Sequence, residues 1–299
     1  MEQELKAQQP PADPGAQVSV IEPDHKDLGG FSVRRLLPAR SHRMVGPFIF
    51  FDHFGPADMP PGEGIQVRPH PHIGIATVSY LFEGEIVHRD SLGYQQVIRP
   101  GAVNLMTAGR GIVHSERAGE DLDRDSRLHG LQLWLALPDG QEDVEPDFHH
   151  YPGEDIPGFA YAACDVRLMM GAWLGQASPV KQHSPTVYAE CRLAAGESVS
   201  LPVEHRELAA YGVLGHARVN GHPLDTGTML VLNGAANARI DADDDCQIVF
   251  IGGDPVGKRH IYWNFVSSSR EKIEQAKSDW KAGRFEPVPG DDEFIPLPD

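Results

Sequence analysis

The feature that most constrains the fold is a succession of short apolar runs, each closed by glycine, proline or an acidic turn residue. Ile75–Phe82 is rich in β-branched and aromatic residues, and Leu128–Leu137 alternates along its length. Several shorter runs lie between these two stretches and end at Gly or Pro. Short runs bounded by turn-forming residues are typical of β-strands. We therefore predict an all-β protein built from antiparallel strands.

The second half of the chain repeats the rhythm of the first. The matched positions are Tyr80 with Tyr211, Gly84 with Gly215, Gly101 with Gly227, and Gly109 with Gly234. A repeat of this kind predicts two β-barrels or sandwiches of one type. The 299 residues suffice for two domains. We expect a flexible, proline-containing arm over residues 1–15, a first barrel over 16–140, a second over 141–267, and a helix and tail over 268–299.

The expected helix follows the second barrel. Ser268 and Glu271 have the spacing of a capping box, in which two side chains satisfy free backbone N–H groups at a helix start. Ile273, Ala276 and Trp280 then fall on one helical face. This pattern predicts a C-terminal helix that packs on a barrel.

The charge balance excludes several kinds of partner. Lys and Arg number 26 against 43 Asp and Glu, a formal net charge of −17. Such a chain repels nucleic-acid phosphates and anionic membranes, so we expect neither as a direct partner. No apolar stretch approaches the length of a membrane span, and Met1–Lys6 lacks the pattern of a secretory signal. Three scattered cysteines support no disulfide framework. We expect a cytoplasmic protein.

Two pairs of metal-ligating side chains stand out among the 15 histidines. His70 and His72 are two residues apart, and so are His114 and Glu116. Residues two apart on a strand share a face, so each pair can reach one ion. Alone, either pair is better explained as solvated side chains on a surface turn or an edge strand. Together they predict a site of three imidazoles and one carboxylate, suited to iron, manganese, nickel, copper or zinc.

The segments around these pairs resemble known families. Gly64, His70, His72 and Gly84 are similar to the first cupin motif, and Gly111 with His114 to the end of the second. The segments 45–56, 70–74 and 106–116 resemble the pirin family more narrowly, and the likeness covers nearly the whole chain. It implies a bicupin with one mononuclear metal, usually Fe(II), in the N-terminal barrel.

The resemblance carries the ligand set onto His70, His72, His114 and Glu116. One position departs from the pattern: many cupins have a glutamate a few residues after the histidine pair, where this chain has Ala76. We expect this change to alter the polarity of the pocket.

The second repeat lacks these ligands. Aligned on the repeat, His70 and His72 correspond to Leu201 and Val203, while His114 and Glu116 correspond to positions near Arg239 and Asp241. We therefore predict one metal per chain and a metal-free C-terminal barrel.

The resemblance implies a 2,3-dioxygenase acting on flavonols such as quercetin. The substrate's 3-hydroxyl would bind the metal, Glu116 would take its proton, and dioxygen would open the ring with loss of carbon monoxide. The alternative implied by some pirins is a metal- and redox-responsive regulatory protein that binds a transcription factor or a metabolic enzyme. A third is a cupin whose natural substrate is not a flavonol.

Each of several other side chains near these motifs can have either a structural or a functional role. His88 and Asp90 either orient a ligand or lie at an exposed strand end. For His53 we expect a buried residue bonded to backbone. For Phe48, Phe50 and Phe51 we expect core positions, and for Arg110 a strand-linking role.

Overall fold

The all-β architecture is confirmed by the computed structural model, which describes residues 17–27 and 32–298. The arm expected over residues 1–15 lies outside the described residues. The strands of the first half are Gln17–Ile21 (β1), Asp24–Asp27 (β2), Ser32–Leu37 (β3), Phe48–Met59 (β4), Gln66–His72 (β5), Ile75–Glu83 (β6), Ile86–Asp90 (β7), Gln95–Ile98 (β8), Val103–Thr107 (β9), Ile112–Ala118 (β10), Ser126–Ala136 (β11) and Asp147–Tyr151 (β12).

The second half continues with strands and ends in one α-helix, within the part of the chain that is described. The elements are Gly158–Tyr161 (β13), Cys164–Trp173 (β14), Gln176–Ala177 (β15), Thr186–Leu193 (β16), Ser198–Pro202 (β17), Glu207–Leu214 (β18), His216–Val219 (β19), His222–Asp225 (β20), Met229–Asn233 (β21), Asn237–Ala242 (β22), Cys246–Gly253 (β23), His260–Tyr262 (β24), Phe265–Ser267 (β25) and Arg270–Lys281 (α1). Short 3₁₀ turns lie at Glu120–Asp123 and Gly153–Asp155.

Each half forms a large and a small antiparallel sheet, as expected for two cupin barrels. In the first half the large sheet has the order β12-β9-β6-β11-β4-β3-β2, and the small sheet has the order β5-β10-β7-β8. In the second half the orders are β1-β21-β18-β23-β16-β14-β13, with β15 on β14, and β17-β22-β19-β20. The matching orders confirm the repeat: β6 corresponds to β18 and β9 to β21.

The two barrels exchange strands across the boundary expected at residue 140. β1 pairs with β21 along its whole length, so the first described strand completes the second barrel's sheet. β12 pairs with β9, so a strand beyond residue 140 completes the first barrel's sheet. Farther on, Phe265 in β25 forms a bridge to Ile73, beside the first barrel. Sheet membership therefore does not follow the linear order of the chain.

The main core lies between the two large sheets, and strand alternation explains its position. On β11, Leu131, Leu133 and Leu135 belong to a buried cluster that includes side chains of both barrels. The side chains between them, Gln132 and Trp134, point the other way, into the first barrel. Successive side chains of a strand point to opposite faces. One face of each large sheet therefore packs in the core between the two barrels, and the opposite face lines the interior of its own barrel.

The C-terminal helix begins one residue later than the sequence pattern predicted. Its N-cap is Ser269, not Ser268, and the Ser269 side chain accepts a hydrogen bond from the Lys272 N–H. Ile273 and Ala276 are buried against the first barrel's edge, as predicted. None of the helices in the described ranges is long and apolar enough to cross a membrane.

Candidate metal centre

Strand β5 presents His70 and His72 to the inside of the first barrel. Pro69 and Pro71 alternate with the histidines, and proline is tolerated there because β5 lies at the edge of its sheet. A proline ring also fixes φ, which stiffens the strand that carries both imidazoles. The ladder with β10 shifts register between His114, opposite His70, and Glu116, opposite Val67. Such a bulge re-aims the side chains around it.

Three imidazoles converge at this point. Ligand atoms of His70, His72 and His114 all lie within 4.8 Å of one another, and the three side chains are buried. His72 Nε2 and His114 Nε2 are 3.1 Å apart. Two nitrogens at about 2.1 Å from one ion and at right angles to each other are about 3.0 Å apart. The donor set and spacing therefore fit a single transition metal.

Burial keeps these imidazoles in the form that binds metals. It lowers the pKa of His70 to about 4, although the Arg68 carbonyl acts in the opposite direction. Burial, and then the neighbouring imidazoles, hold the pKa values of His72 and His114 well below their usual range. His70 Nδ1 lies 2.8 Å from the Arg68 carbonyl oxygen, an arrangement in which it donates and leaves Nε2 free.

Glu116 lines the same cavity but stands apart from the three-histidine group. Its side chain is partly buried, and burial raises the pKa of its carboxyl to about 7. Its place as a fourth ligand stays a prediction.

His88 and Asp90 extend the centre outward from His114. Both are buried, so the interpretation as an exposed strand end is wrong. β7 pairs with β10, which sets Asp90 opposite His114 and His88 opposite Glu116. His88 Nδ1 lies 3.4 Å from His114 Nδ1, and His88 Nε2 lies 2.9 Å from Asp90 Oδ2. A metal-bound imidazole is commonly held in place through such a chain to a carboxylate.

The histidines open onto a cavity of about 440 Å³. That volume lies in the range of small-molecule sites. Trp134 and Phe50 stack with their ring centroids 4.0 Å apart, and the Trp134 ring meets His72 edge-on at 5.1 Å. The remaining walls are mostly aliphatic and aromatic, with a few polar side chains among them: Arg35, Asp52, Gln132 and Asn264.

A strained turn that follows the second barrel closes one side of this cavity. Trp263 has a φ of +52°, in the left-handed region that a non-glycine residue rarely adopts. This turn between β24 and β25 brings Trp263 and Asn264 to the cavity wall, and Ile295 from the tail joins them. The Ile295 N–H donates to the Pro69 carbonyl on β5, 2.9 Å away. Sequence reasoning missed all three residues.

Two family models match the chain: the pirin model over residues 30–135 and the model of the pirin C-terminal cupin domain over residues 188–286. A pirin-like protein of Caulobacter vibrioides is 46% identical over 284 residues, which are 94% of this chain and 99% of that protein. The chain belongs to the pirin family.

Solved structures agree with this assignment. A quercetin 2,3-dioxygenase from Acinetobacter baumannii matches with a TM-score of 0.88 and 35% identity, over 94% of this chain and 95% of the other. A second quercetin 2,3-dioxygenase structure from the same organism matches with a TM-score of 0.83 and 26% identity, over 89% of this chain and 96% of the other. The pirin fold is thus a bicupin in the cupin superfamily.

Several expectations for this pirin's other residues are corrected by the structure. Phe48 and Phe51 belong to the core between the barrels, as expected, but Phe50 lines the metal cavity. His53 is buried, yet its partners are side chains and not backbone atoms: the Tyr211 hydroxyl at 2.6 Å, His129 Nε2 at 2.7 Å and the Arg34 guanidinium at 3.2 Å.

Two further positions lie away from the metal cavity. Ala76 faces the core between the barrels, so the missing glutamate does not change the polarity of the cavity wall. Arg110 is exposed and pairs with Glu145.

The second barrel has an apolar interior at the corresponding place. In the ladder between β17 and β22, Leu201 stands opposite Ala238, and both are fully buried in an apolar cluster. Arg239 and Asp241 pair with each other on the same strand. A metal count of one per chain stays a prediction.

Proposed function

We propose that this pirin is a metal-dependent dioxygenase that cleaves flavonols of the quercetin type. His70, His72, His114 and Glu116 would hold one divalent ion, with Fe(II) expected before Mn, Ni, Cu or Zn. The observation that carries the proposal is the convergence of three buried imidazoles on a largely apolar cavity. The similarity to quercetin 2,3-dioxygenases supports it.

A bound divalent ion would supply a Lewis acid for a chelating hydroxyl and a position open to dioxygen. The protein's own side chains do the rest. His70, His72 and His114 would hold the ion at the cavity wall, where a ligand in the cavity could reach it. The stacked pair of Phe50 and Trp134 offers a flat apolar wall to a planar ring system. The apolar lining excludes water, which strengthens each electrostatic contact inside the cavity.

We assign Glu116 as the general base that takes the proton of the flavonol hydroxyl. It shares the cavity with the imidazoles, and no other carboxylate lining that cavity is free of a cationic partner, since Asp52 pairs with Arg35. A correctly placed general base contributes about a hundredfold to ten-thousandfold in rate.

Oxygen uptake by metal-loaded protein with quercetin, read together with carbon monoxide release, tests the proposal. We expect Glu116→Gln to lower turnover at least about a hundredfold while flavonol binding changes only a few-fold. Metal content is measured in both proteins. The exposed Glu63 gives a matched control, Glu63→Gln, that should leave turnover unchanged. Absence of oxygen uptake with every divalent ion would contradict the enzyme assignment and favour the regulatory protein.

A further inference from the structure

A second cavity, of about 450 Å³, adjoins the metal cavity. Ile49 and Ile261 line both cavities, so the two share a wall. Five basic side chains line the second cavity together with apolar ones, and Arg259 is one of them. We call the other four the basic vestibule: Arg43, Lys258, His260 and Arg270.

The vestibule's charge contrasts with that of the whole chain. The formal net charge is −17, so most of the surface repels anions. Arg43, Lys258 and Arg270 are exposed, and within the described residues none has a carboxylate oxygen within 4.0 Å. These three cations therefore form no ion pair with a described carboxylate.

The other charged groups nearby are already engaged. Arg259 also lines the cavity, but its side chain is 1% exposed and pairs with Asp139 and Glu142. The one acid in the lining, Glu274, pairs with Lys277 at 2.9 Å. Glu271, on the same helix, accepts a hydrogen bond from the Ser269 hydroxyl and keeps its negative charge, which acts on Arg270 and His260 without forming an ion pair with either. No ion pair with the described residues therefore occupies the three exposed cations.

The shared wall determines what kind of ligand can use them. β24 runs along the border, with Ile261 touching both cavities and His260 and Tyr262 lining the vestibule. A ligand whose aromatic ring system fills the apolar metal cavity would reach the cations with a substituent that extends past Ile49 and Ile261. Met44 and Ile273 add apolar surface beside the cations, which suits an aromatic ring carrying a charged substituent.

We propose that the substrate is an aromatic metal chelator with an anionic substituent, such as a sulfonate, sulfate or carboxylate, which binds in the basic vestibule. This rests on the proposed function and narrows its substrate class from neutral flavonols to anionic ones. Exposed ion pairs are individually weak, so each vestibule cation contributes modestly and the three act together.

Anaerobic calorimetric titration of the metal-loaded protein with quercetin and with ring-sulfonated quercetin tests this proposal. We expect the sulfonated compound to bind at least about fivefold more tightly at low salt, with the preference shrinking as salt shortens the screening length. Arg270→Ala and Lys258→Ala should each reduce the preference about two- to fivefold. Arg43→Ala combined with Lys258→Ala should abolish the preference.

Lys281 supplies the matched control. It lies at the other end of α1, about 16 Å along the helix from Arg270 at 1.5 Å per residue, and it is exposed. Lys281→Ala changes the net charge by the same amount as Arg270→Ala or Lys258→Ala, but at a position outside the vestibule. If the vestibule is the binding site, Lys281→Ala should leave the preference unchanged. An equal effect of Lys281→Ala would show a non-specific field and overturn the proposal.

The outcomes separate the two proposals. Equal binding of the two compounds, with quercetin still cleaved, would refute the vestibule and leave the dioxygenase standing. A vestibule-dependent preference without oxygen uptake would refute the dioxygenase and support the anion site. Failure of both compounds to bind would refute both.

Discussion

Changing Asp90 to asparagine should weaken metal binding without touching a ligand. If His114 offers Nε2 to the metal, its proton lies on Nδ1 and is donated to His88 Nδ1. His88 then donates from Nε2 to Asp90 Oδ2. Asp90 Oδ1 accepts from the Leu92 and Tyr94 N–H groups. An asparagine keeps its carbonyl oxygen at those two N–H groups, so its NH₂ group faces His88.

That NH₂ group reverses the hydrogen-bond chain. His88 Nε2 must now accept, so the His88 proton moves to Nδ1 and is donated to His114 Nδ1. The His114 proton is then on Nε2, where it blocks the metal. Binding a metal requires the original arrangement, in which the His88 Nε2–H group faces the asparagine NH₂ group and both buried donors lack an acceptor, at a cost of about 1–3 kcal/mol. At about 1.4 kcal/mol per factor of ten, the affinity should fall about 5- to 100-fold.

Competition for Zn²⁺ against a chromogenic chelator measures this change. Asp52→Asn is the control, because Asp52 is a buried carboxylate on the same cavity that pairs with Arg35 and has no contact with His114 among its hydrogen bonds. It should change the affinity less than about threefold. Thermal unfolding of the metal-free variants checks that both fold. A folded Asp90→Asn protein with wild-type affinity would refute the orientation of His114 through His88.

Three further changes test other parts of the structure. His72→Ala should reduce the bound transition metal, measured by elemental analysis, from one equivalent to none; a full equivalent bound by the variant would place the metal elsewhere. Gly74→Ala should destabilise the protein more than Gly140→Ala in chemical denaturation. Both glycines have positive φ, but a Cβ on Gly74 would lie 2.0 Å from the Val266 carbonyl oxygen, while nothing lies within 4 Å at Gly140; equal losses would show that the close approach is unimportant. Leu201→Ala should lower the free energy of unfolding by about 2–5 kcal/mol and leave the metal content unchanged, whereas metal loss would link the second barrel to the centre.

The strands and the histidine cluster were predictable because their signals are local. A period of two along a strand places His70 and His72 on one face whatever the rest of the chain does. The same rule placed His88 and Asp90 on a common face. It does not say whether that face is buried, so their role stayed open until the pairing of β7 with β10 was known.

The cavity walls were less predictable because they come from distant segments. Asn264 and Ile295 reach the centre only after the chain has completed the second barrel. The left-handed φ of Trp263 has no sequence signal, since glycine is the residue that usually marks such a turn. The bulge opposite Glu116 likewise depends on the pairing of β5 with β10, and the exchange of β1 and β12 depends on which sheet edges remain free.

The exchange of β1 and β12 has a consequence for how this protein can be divided. A gene cut at residue 140 would leave β9 and β21 each without one of its two neighbouring strands, and would separate the histidines from the turn at Trp263. Neither fragment would contain its complete large sheet. The two repeats in the sequence therefore depend on each other's strands and should fold only together. Expression of either half alone should yield aggregated polypeptide, because exposed strand edges pair with other chains.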